Sequence, residues 1–365
     1  MKQGWEIKQL GDVCDKASSN VSQNQLDNEV GEYPIFGASG LIKNVSFYHQ
    51  DKPYLSIVKD GSGVGRVTKM DAHTSIIGTL QYILPNDGID LDYLNYSLMS
   101  VDFKKYVAGA AIPHIYFKDY KNEPFLWMPL KEQQRIVAIL NEAFAAIAKA
   151  KANAQQNLKN VKELFESYLQ GVFENENWKT KTIDEVCNEI FAGGDAPKNN
   201  YSLEPNDKHN IPIYANAVKD RGLYGYTDFA RVTKPCVTIA ARGSGTGHTE
   251  LRNESFFPIV RLIVCIPDTN QMQTEFLKYT IDNLVIQRSG SAIPQLTIPM
   301  IKDYKIPTPS IEEQKKVIEK AETLKEQKEN LENVYLKKIE GLEELKKSVL
   351  QKAFSGELKT NVVAV

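Results

Sequence analysis

Residues Pro53–Val67 read PYLSIVKDGSGVGRV, and 182 positions later Pro235–Thr249 read PCVTIAARGSGTGHT. Each stretch is a run of β-branched and apolar residues that ends in a glycine-rich turn, the pattern of a buried strand entering a hairpin. Further matches flank this pair in the same order. WEIKQLGDVC from Trp5 matches WKTKTIDEVC from Trp178, and YPIFGASG (Tyr33–Gly40) matches IPIYANAV (Ile211–Val218). LDYLNYSL (Leu91–Leu98) matches TEFLKYTI (Thr274–Ile281), and GAAIPHI (Gly109–Ile115) matches GSAIPQL (Gly290–Leu296). PLKEQQRIV from Pro129 matches PSIEEQKKV from Pro309, and LFESYLQGVF from Leu164 matches LKKSVLQKAF from Leu345. Common turn chemistry would explain one such coincidence but not a collinear series, so the chain is one unit used twice.

Each unit has two parts. The first alternates short β-type runs with Gly, Pro and Asn turns, and it contains one amphipathic stretch, Leu91–Tyr106 or Thr274–Gln287, that reads as a helix. The second is a long heptad pattern. Ile136, Leu140, Ala143, Ile147, Ala150, Ala154, Val161, Leu164 and Tyr168 form the first seam, with a polar interruption near Asn157. Val317, Ala321, Leu324, Leu331, Tyr335, Leu342, Leu345 and Val349 form the second. Pro129 and Pro309 precede the two runs, and Ser310 with Glu313 has the form of a capping box. At about 1.5 Å per residue such a helix spans roughly 65 Å, too long to pack on its own domain alone. The expectation is an α+β protein with two similar globular domains joined by two long helices in an antiparallel coiled coil, with a pseudo-twofold internal repeat. The boundaries read as 1–130 and 174–309 for the globular domains, 131–173 and 310–356 for the helices, and 357–365 for a tail.

Bulk properties bound the function. The 365 residues are 42% hydrophobic and 25% charged with a net charge of −2, the balance of a globular chain. Residues 1–130 carry 12 Lys and Arg against 15 Asp and Glu, and residues 177–309 carry 15 against 14. A nucleic-acid partner would therefore need cations gathered on one face, or other subunits to share the grip. Cys14, Cys187, Cys236 and Cys265 form no C-x-x-C pair, and no membrane span or signal sequence is legible, so a reducing cytoplasmic setting is expected.

Catalytic patterns are weak. GSGVG (Gly61–Gly65) and GSGTG (Gly243–Gly247) suggest a nucleotide loop, but the residues that follow read as extended, and no Lys-Ser/Thr pair completes a phosphate loop. A tight hairpin whose glycines take positive φ is the better reading. NEPF (Asn122–Phe125) brushes an adenine methyltransferase signature, and Pro267-Asp268 with Glu275 and Lys278 brushes a nuclease pattern. Neither recurs in the other copy. His49, His73, His114, His209 and His248 show no metal or triad spacing. Positions that agree between copies are mostly Gly, Pro and apolar, whereas positions that differ are polar, as expected for a scaffold with two unlike readouts.

The order W-x(4)-L-G-D-V-C (W-x(4)-I-D-E-V-C in the second copy), GSGxG, A-I-P, the Pro-led Glu-Gln stretch and a heptad helix ending LQ-x(2)-F, with LQGVF at Leu169 and LQKAFSGEL at Leu350, resembles the specificity subunit of type I restriction–modification systems across nearly the whole chain. The resemblance implies a non-catalytic subunit whose two target recognition domains each read one half of an interrupted double-stranded DNA sequence. Its helices would set the spacer and dock two modification (methyltransferase) subunits. S-adenosylmethionine, ATP and Mg would belong to those and to two restriction (motor and nuclease) subunits, with none held by this chain. Candidate DNA-binding residues are Lys59, Ser62, Arg66, Lys69 and His114 in the first copy, and Arg242, Ser244, Thr246, His248 and Gln295 in the second. They are polar residues on or beside the glycine turns, of types that can pair base edges. The competing reading is a coiled-coil scaffold that recruits partners without reading DNA.

Overall fold

The computed structural model describes residues 4–109, 111–174, 177–243, 245–284, 295–355 and 357. It divides into two compact units, Met1–Gln156 with Tyr335–Val365, and Asn157–Val334.

In unit 1 the strands are β1 (Glu6–Gln9), β2 (Cys14–Ser18), β3 (Tyr33–Gly37), β4 (Gly40–Val45), β5 (Tyr54–Val58), β6 (Val67–Met70), β7 (Ser75–Ile76), β8 (Leu80–Pro85) and β9 (Pro124–Trp127). Its helices are α1 (Leu91–Ser100), the short α2 (Phe117–Tyr120) and the start of α3 (Leu130–Phe173). The second series runs β10 (Thr180–Thr182), α4 (Ile183–Val186), β11 (Cys187–Ala192), β12 (Ile211–Tyr214), β13 (Leu223–Thr227), β14 (Cys236–Ile239), β15 (Thr249–Arg252), β16 (Phe257–Pro258) and β17 (Ile263–Pro267). It continues with α5 (Thr274–Asp282), α6 (Ile298–Asp303), β18 (Lys305–Pro307) and α7 (Ile311–Phe354).

The duplication is complete at the level of strand pairing. Unit 1 has an antiparallel sheet ordered β2-β8-β5-β6, a small sheet β4-β3-β7 with β3 and β7 parallel, and a ribbon β1-β9. Unit 2 repeats all three as β11-β17-β14-β15, β13-β12-β16 with β12 and β16 parallel, and β10-β18. Even the register shift in β3 at Ile35/Phe36 recurs in β12 at Ile213/Tyr214.

Every residue of β5 is buried because both faces of its sheet are covered. Leu55 and Ile57 point into a core with Leu94, Leu98 and Ile136, while Tyr54 and Val58 point into a second core shared with Ile35 and Ile76 of the small sheet. In unit 2, Val237 and Ile239 face Phe276, Leu277 and Ile301, whereas Cys236 faces Tyr214 and Phe256.

Both long helices enter these cores at opposite ends. Ile136, Val137 and Leu140 near the start of α3 share the unit 1 core with Ala353 near the end of α7. Phe173 at the end of α3 shares the unit 2 core with Val317 and Ile318 near the start of α7. The two helices therefore pair antiparallel. Ser310 and Glu313 form the expected capping box, with Ser310 Oγ 2.7 Å from Glu313 Oε2 and the Glu313 N–H donating to Ser310 Oγ at 3.3 Å. Among the described residues, no helix is long and apolar enough to cross a membrane.

Three sequence expectations shift. The Leu91–Tyr106 helix stops at Ser100: Val101 is extended, and Asp102 accepts from Lys104 N to start a separate 3-10 turn, Phe103–Tyr106. Thr274–Gln287 is helical to Asp282, and residues 285–287 lie outside the described residues. The coil seam keeps most of its expected positions but departs at Leu164, Leu331 and Leu345. Leu164 is 69% exposed, and Leu331 and Leu345 are also exposed. Leu158 and Phe165 take the inward positions on α3, with Lys328, Glu332 and Lys346 inward on α7. Lys328 lies 5.5 Å from the Phe165 ring centroid and Lys346 5.3 Å from that of Phe144, so long cationic stems cover apolar rings beside the expected Leu331 and Leu345 positions.

Candidate nucleic-acid interface

The glycine turns are built the same way twice. Gly61 and Gly65 have φ of +95° and +86°, and Gly243 and Gly247 have +88° and +93°. Gly65 N–H donates to Val58 O at 2.9 Å and Gly247 N–H to Ala240 O at 2.8 Å, closing a hairpin from β5 into β6 and from β14 into β15. A strand follows each turn where a dinucleotide or phosphate loop needs a helix, so the hairpin reading holds. A Cβ on Gly65 would lie 2.6 Å from Phe103 Cβ, which adds a packing demand to the conformational one.

A distant segment then docks on each turn. In unit 1, Gly61 N–H donates to Pro113 O at 2.8 Å and Ile115 N–H to Lys59 O at 2.9 Å, so His114 pairs with Asp60. In unit 2, Leu296 N–H donates to Ala241 O at 2.8 Å and Gln295 pairs with Arg242. The fold thus brings His114 beside the first turn and Gln295 beside the second, although more than 45 residues separate them in sequence.

The side chains differ from turn to turn. Lys59 lies 3.6 Å from Asp60. Ser62 and Arg66 are exposed, and Arg66 donates to Ala38 O on the β3–β4 turn. Lys69 is drawn away onto α1, where its ammonium meets Asp92 at 2.7 Å. The His114 ring packs edge-on against Tyr116 at 4.9 Å, and Lys118 lies 5.3 Å from the same tyrosine ring. In unit 2, Arg242 is exposed and Ser244 lies outside the described residues. Thr246 is only 2% exposed and donates its hydroxyl to Gly243 O at 2.7 Å, which closes the turn from within. His248 Nε2 is 3.0 Å from Glu250 Oε1, and Arg221 Nε donates to Glu250 Oε2 at 2.8 Å. Burial opposes the charge on Glu250, but the hydrogen bonds from Arg221 and His248 prevail and hold its carboxyl below the usual range.

Several residues at these surfaces escaped the sequence reading. Asn216 is the main one: its Oδ1 accepts from Ala241 N–H and from Arg242 N–H at 3.2 Å, and its Nδ2 donates to Arg242 O at 2.7 Å. The repeat aligns Asn216 with Ala38, a hint that unit 2 does something extra there. Tyr116, Lys118, Arg221 and Glu250 carry no motif. Among the described residues, no group of three His, Cys, Asp or Glu could hold a metal ion.

Comparison with known proteins bears on the family and the fold. The model of the type I restriction modification DNA specificity domain matches twice, over residues 2–159 and 175–341. The chain is 24% identical over 319 residues to a type I specificity subunit of Mycoplasma pneumoniae, covering 84% of this chain and 86% of the relative. It is 22% identical over 425 aligned positions to the MjaVIII specificity subunit of Methanocaldococcus jannaschii, covering 97% and 93%. Its fold is similar to the crystal structure of the HsdS subunit from Thermoanaerobacter tengcongensis, with a TM-score of 0.63, 18% identity and 98% of each chain covered. It is also similar to a chain from a structure of type I R-M system assembly and conformational transition, with a TM-score of 0.76, 18% identity, and 98% and 99% covered. A scaffold that recruits partners without reading DNA is the less favoured reading, because what matches, twice, is a DNA specificity domain. This chain belongs to the type I restriction modification DNA specificity family and carries that family's domain in two tandem copies.

Proposed function

We propose that each unit reads one half of an interrupted, asymmetric DNA sequence and that α3 and α7 set the spacer between the halves. The observation that carries this reading is the pair of glycine turns, which share the positive φ of their outer glycines and differ at Lys59/Ala241, Asp60/Arg242, Val64/Thr246 and Arg66/His248. Direct readout needs that combination: a rigid frame places the side chains, and their identities select the bases. The recognition domains would be residues 1–130 and 174–309, the spacer helices 131–173 and 310–356, and the tail 357–365. Lys59, Ser62, Arg66 and His114 would serve the first half-site, and Arg242, Ser244, His248 and Gln295 the second. Lys69, drawn off the turn onto α1 by Asp92, and Thr246, buried within its own hairpin, would act at most through the frame.

The long helices would also dock two modification subunits, which bind S-adenosylmethionine and methylate adenine. Two restriction subunits would use ATP and Mg to move and cut the DNA. Sharing phosphate contacts with such partners explains how a chain of net charge −2 works on a polyanion. With DNA as target, this work would be cytoplasmic.

The test is to replace residues 1–130 with the matching segment of a relative, in the assembled complex, and to map methylated adenines. One half of the methylated sequence should change and the other persist. If both halves stay the same, the two-reader assignment is wrong.

A further inference from the structure

Unit 2 departs from unit 1 most sharply where β12 leads to β13. The corresponding strands β3 and β4 are joined by Ala38 and Ser39 alone. In unit 2 residues 215–222 intervene, and Asp220, Arg221 and Gly222 follow one another at φ of 50°, 54° and 78°. Two successive left-handed residues other than glycine are costly and persist only when their surroundings over-determine them.

The surroundings do so through Arg252 on β15. This side chain is 1% exposed, and its Nη2 donates to Arg221 O at 2.5 Å. Its Nε donates to Thr238 Oγ1 at 3.3 Å, and the guanidinium lies 3.6 Å from the Tyr214 ring centroid. Its Nη1 is buried without a hydrogen-bond partner, and the nearest carboxylate, on Glu254, is 4.0 Å away. Arg221 is pinned further by Glu250 and by Leu251 O at 2.9 Å. Strand register places Met70 of unit 1 where Arg252 stands, and Thr68 where Glu250 stands. The buried cation is thus an addition peculiar to the unit that has the longer turn.

The turn abuts the glycine hairpin. Asn216 grips both the N–H and the carbonyl of Arg242, and a Cβ on Gly245 would lie 2.4 Å from Val218 Cγ2. Lys219 and Arg242 are both exposed on this joint surface. Among the described residues, neither side-chain cation has an ion-pair or hydrogen-bond partner.

We propose that the Lys219–Gly222 turn is a second DNA-contacting element of unit 2. Lys219 would bind a backbone phosphate beside the base-reading Arg242, and Arg252 would be the positioning residue that holds the turn in its left-handed form. This rests on the DNA-reading role proposed above. A lysine ammonium suits the task as a point charge, and a phosphate contact fixes the register from which Arg242 reaches a base edge.

The test uses the assembled complex and duplexes carrying its own methylated sequence, with single-base changes in either half. Lys219→Ala should weaken binding about tenfold on every duplex and lower the slope of log affinity against log salt by about one. Arg252→Met, which installs the unit 1 residue, should reproduce that loss and also relax discrimination in the unit 2 half only. Arg252→Lys should restore part of it. Adding Lys219→Ala to Arg252→Met should cost little more. An unchanged salt slope in Lys219→Ala, or full discrimination in a folded Arg252→Met complex, would overturn the proposal. Lys219→Ala is a surface change, so it decides the matter even where Arg252→Met does not fold. Loss of discrimination in both halves of the unmutated complex would instead count against the two-reader assignment.

Discussion

Gln133 and Gln314 offer a sharp test of how the recognition domains are fastened to the coil. Both are 0% exposed and sit in the first turn of a long helix. Gln133 Oε1 accepts from Asp90 N–H at 2.9 Å, while Nε2 donates to Gly88 O at 3.0 Å and Met128 O at 2.8 Å. Gln314 repeats the pattern with Gln273 N–H at 2.8 Å, Gln271 O at 2.8 Å and Pro309 O at 3.0 Å. Replacing Gln133 by Leu keeps the approximate volume but removes all three partners. Each buried backbone group left unpaired costs about 1–3 kcal/mol, and two of the three here are only part-buried, so Gln133→Leu should cost about 2–4 kcal/mol net. That is a large share of the roughly 5–15 kcal/mol that holds an ordinary domain. Urea unfolding followed by hydrogen exchange reads it: Gln133→Leu should unprotect the Asp90 amide and spare that of Gln273, and Gln314→Leu should do the reverse. Gln134→Leu, next door and exposed, should change little. Equal effects of Gln133→Leu and Gln134→Leu, or a loss under about 0.5 kcal/mol for Gln133→Leu, would mean that Gln133 does not fasten the loop at residues 88–90 to α3.

Three further outcomes follow from the same structure. Gly65→Ala meets Phe103 as well as a positive φ, so thermal melting should show about 2–4 kcal/mol of destabilisation, against about 1 kcal/mol for Gly61→Ala, which has open space around it. Phe165→Ala should loosen the coil by about 1–2 kcal/mol in urea titrations, while Leu164→Ala stays within about 0.5 kcal/mol. The carboxyl of Glu250 is held below its usual range when folded, so its contribution is complete above the unfolded value near 4.3 and disappears as pH falls through the folded one. Comparing urea midpoints at pH 7 and about pH 3.5, Glu250→Gln should be less acid-sensitive than the parent protein.

The duplication of an α+β unit was legible because Gly, Pro and apolar positions recur between copies, and these are the residues that set turns and buried faces; the order of strands in the sheets was not. Element ends and seam register were less so. Phe103 and Tyr106 extend the apolar period of α1, but Asp102 offers its side chain to Lys104 N and starts a new turn instead. Lys328 and Lys346 lie inward on α7 because a four-carbon stem can cover an aromatic ring while its charge stays wet. The alignment of PLKEQQRIV with PSIEEQKKV set Gln134 against Gln314, whereas the structure gives Gln133 and Gln314 the same buried bonds. Sequence alone could not find that one-residue slip, since both glutamines fit the pattern. Asn216 was out of reach for another reason: its partners Ala241 and Arg242 lie 25 and 26 residues on, and nothing local marks them.

The repeat also disciplines how differences between copies are interpreted. A polar residue in one copy facing something unlike it in the other is a natural candidate for reading bases, and Arg66/His248 and His114/Gln295 meet that description. Yet Met70/Arg252 and Thr68/Glu250 differ as strongly, and there the unit 2 residues are committed to holding the longer turn between β12 and β13. Thr246, opposite Val64, differs too and is spent on its own hairpin. Divergence therefore marks two kinds of position: exposed ones free to meet a partner and those that support a loop of changed shape. Exposure and the absence of an internal partner separate them. By that standard Arg242 and Lys219 move to the front, and His248, shared with Glu250, stands between the two kinds. Exchanging only exposed side chains between relatives should fail wherever the supporting pair differs, so a transplanted Lys219–Gly222 turn should need Arg252 and Glu250 with it to carry its half-site preference across.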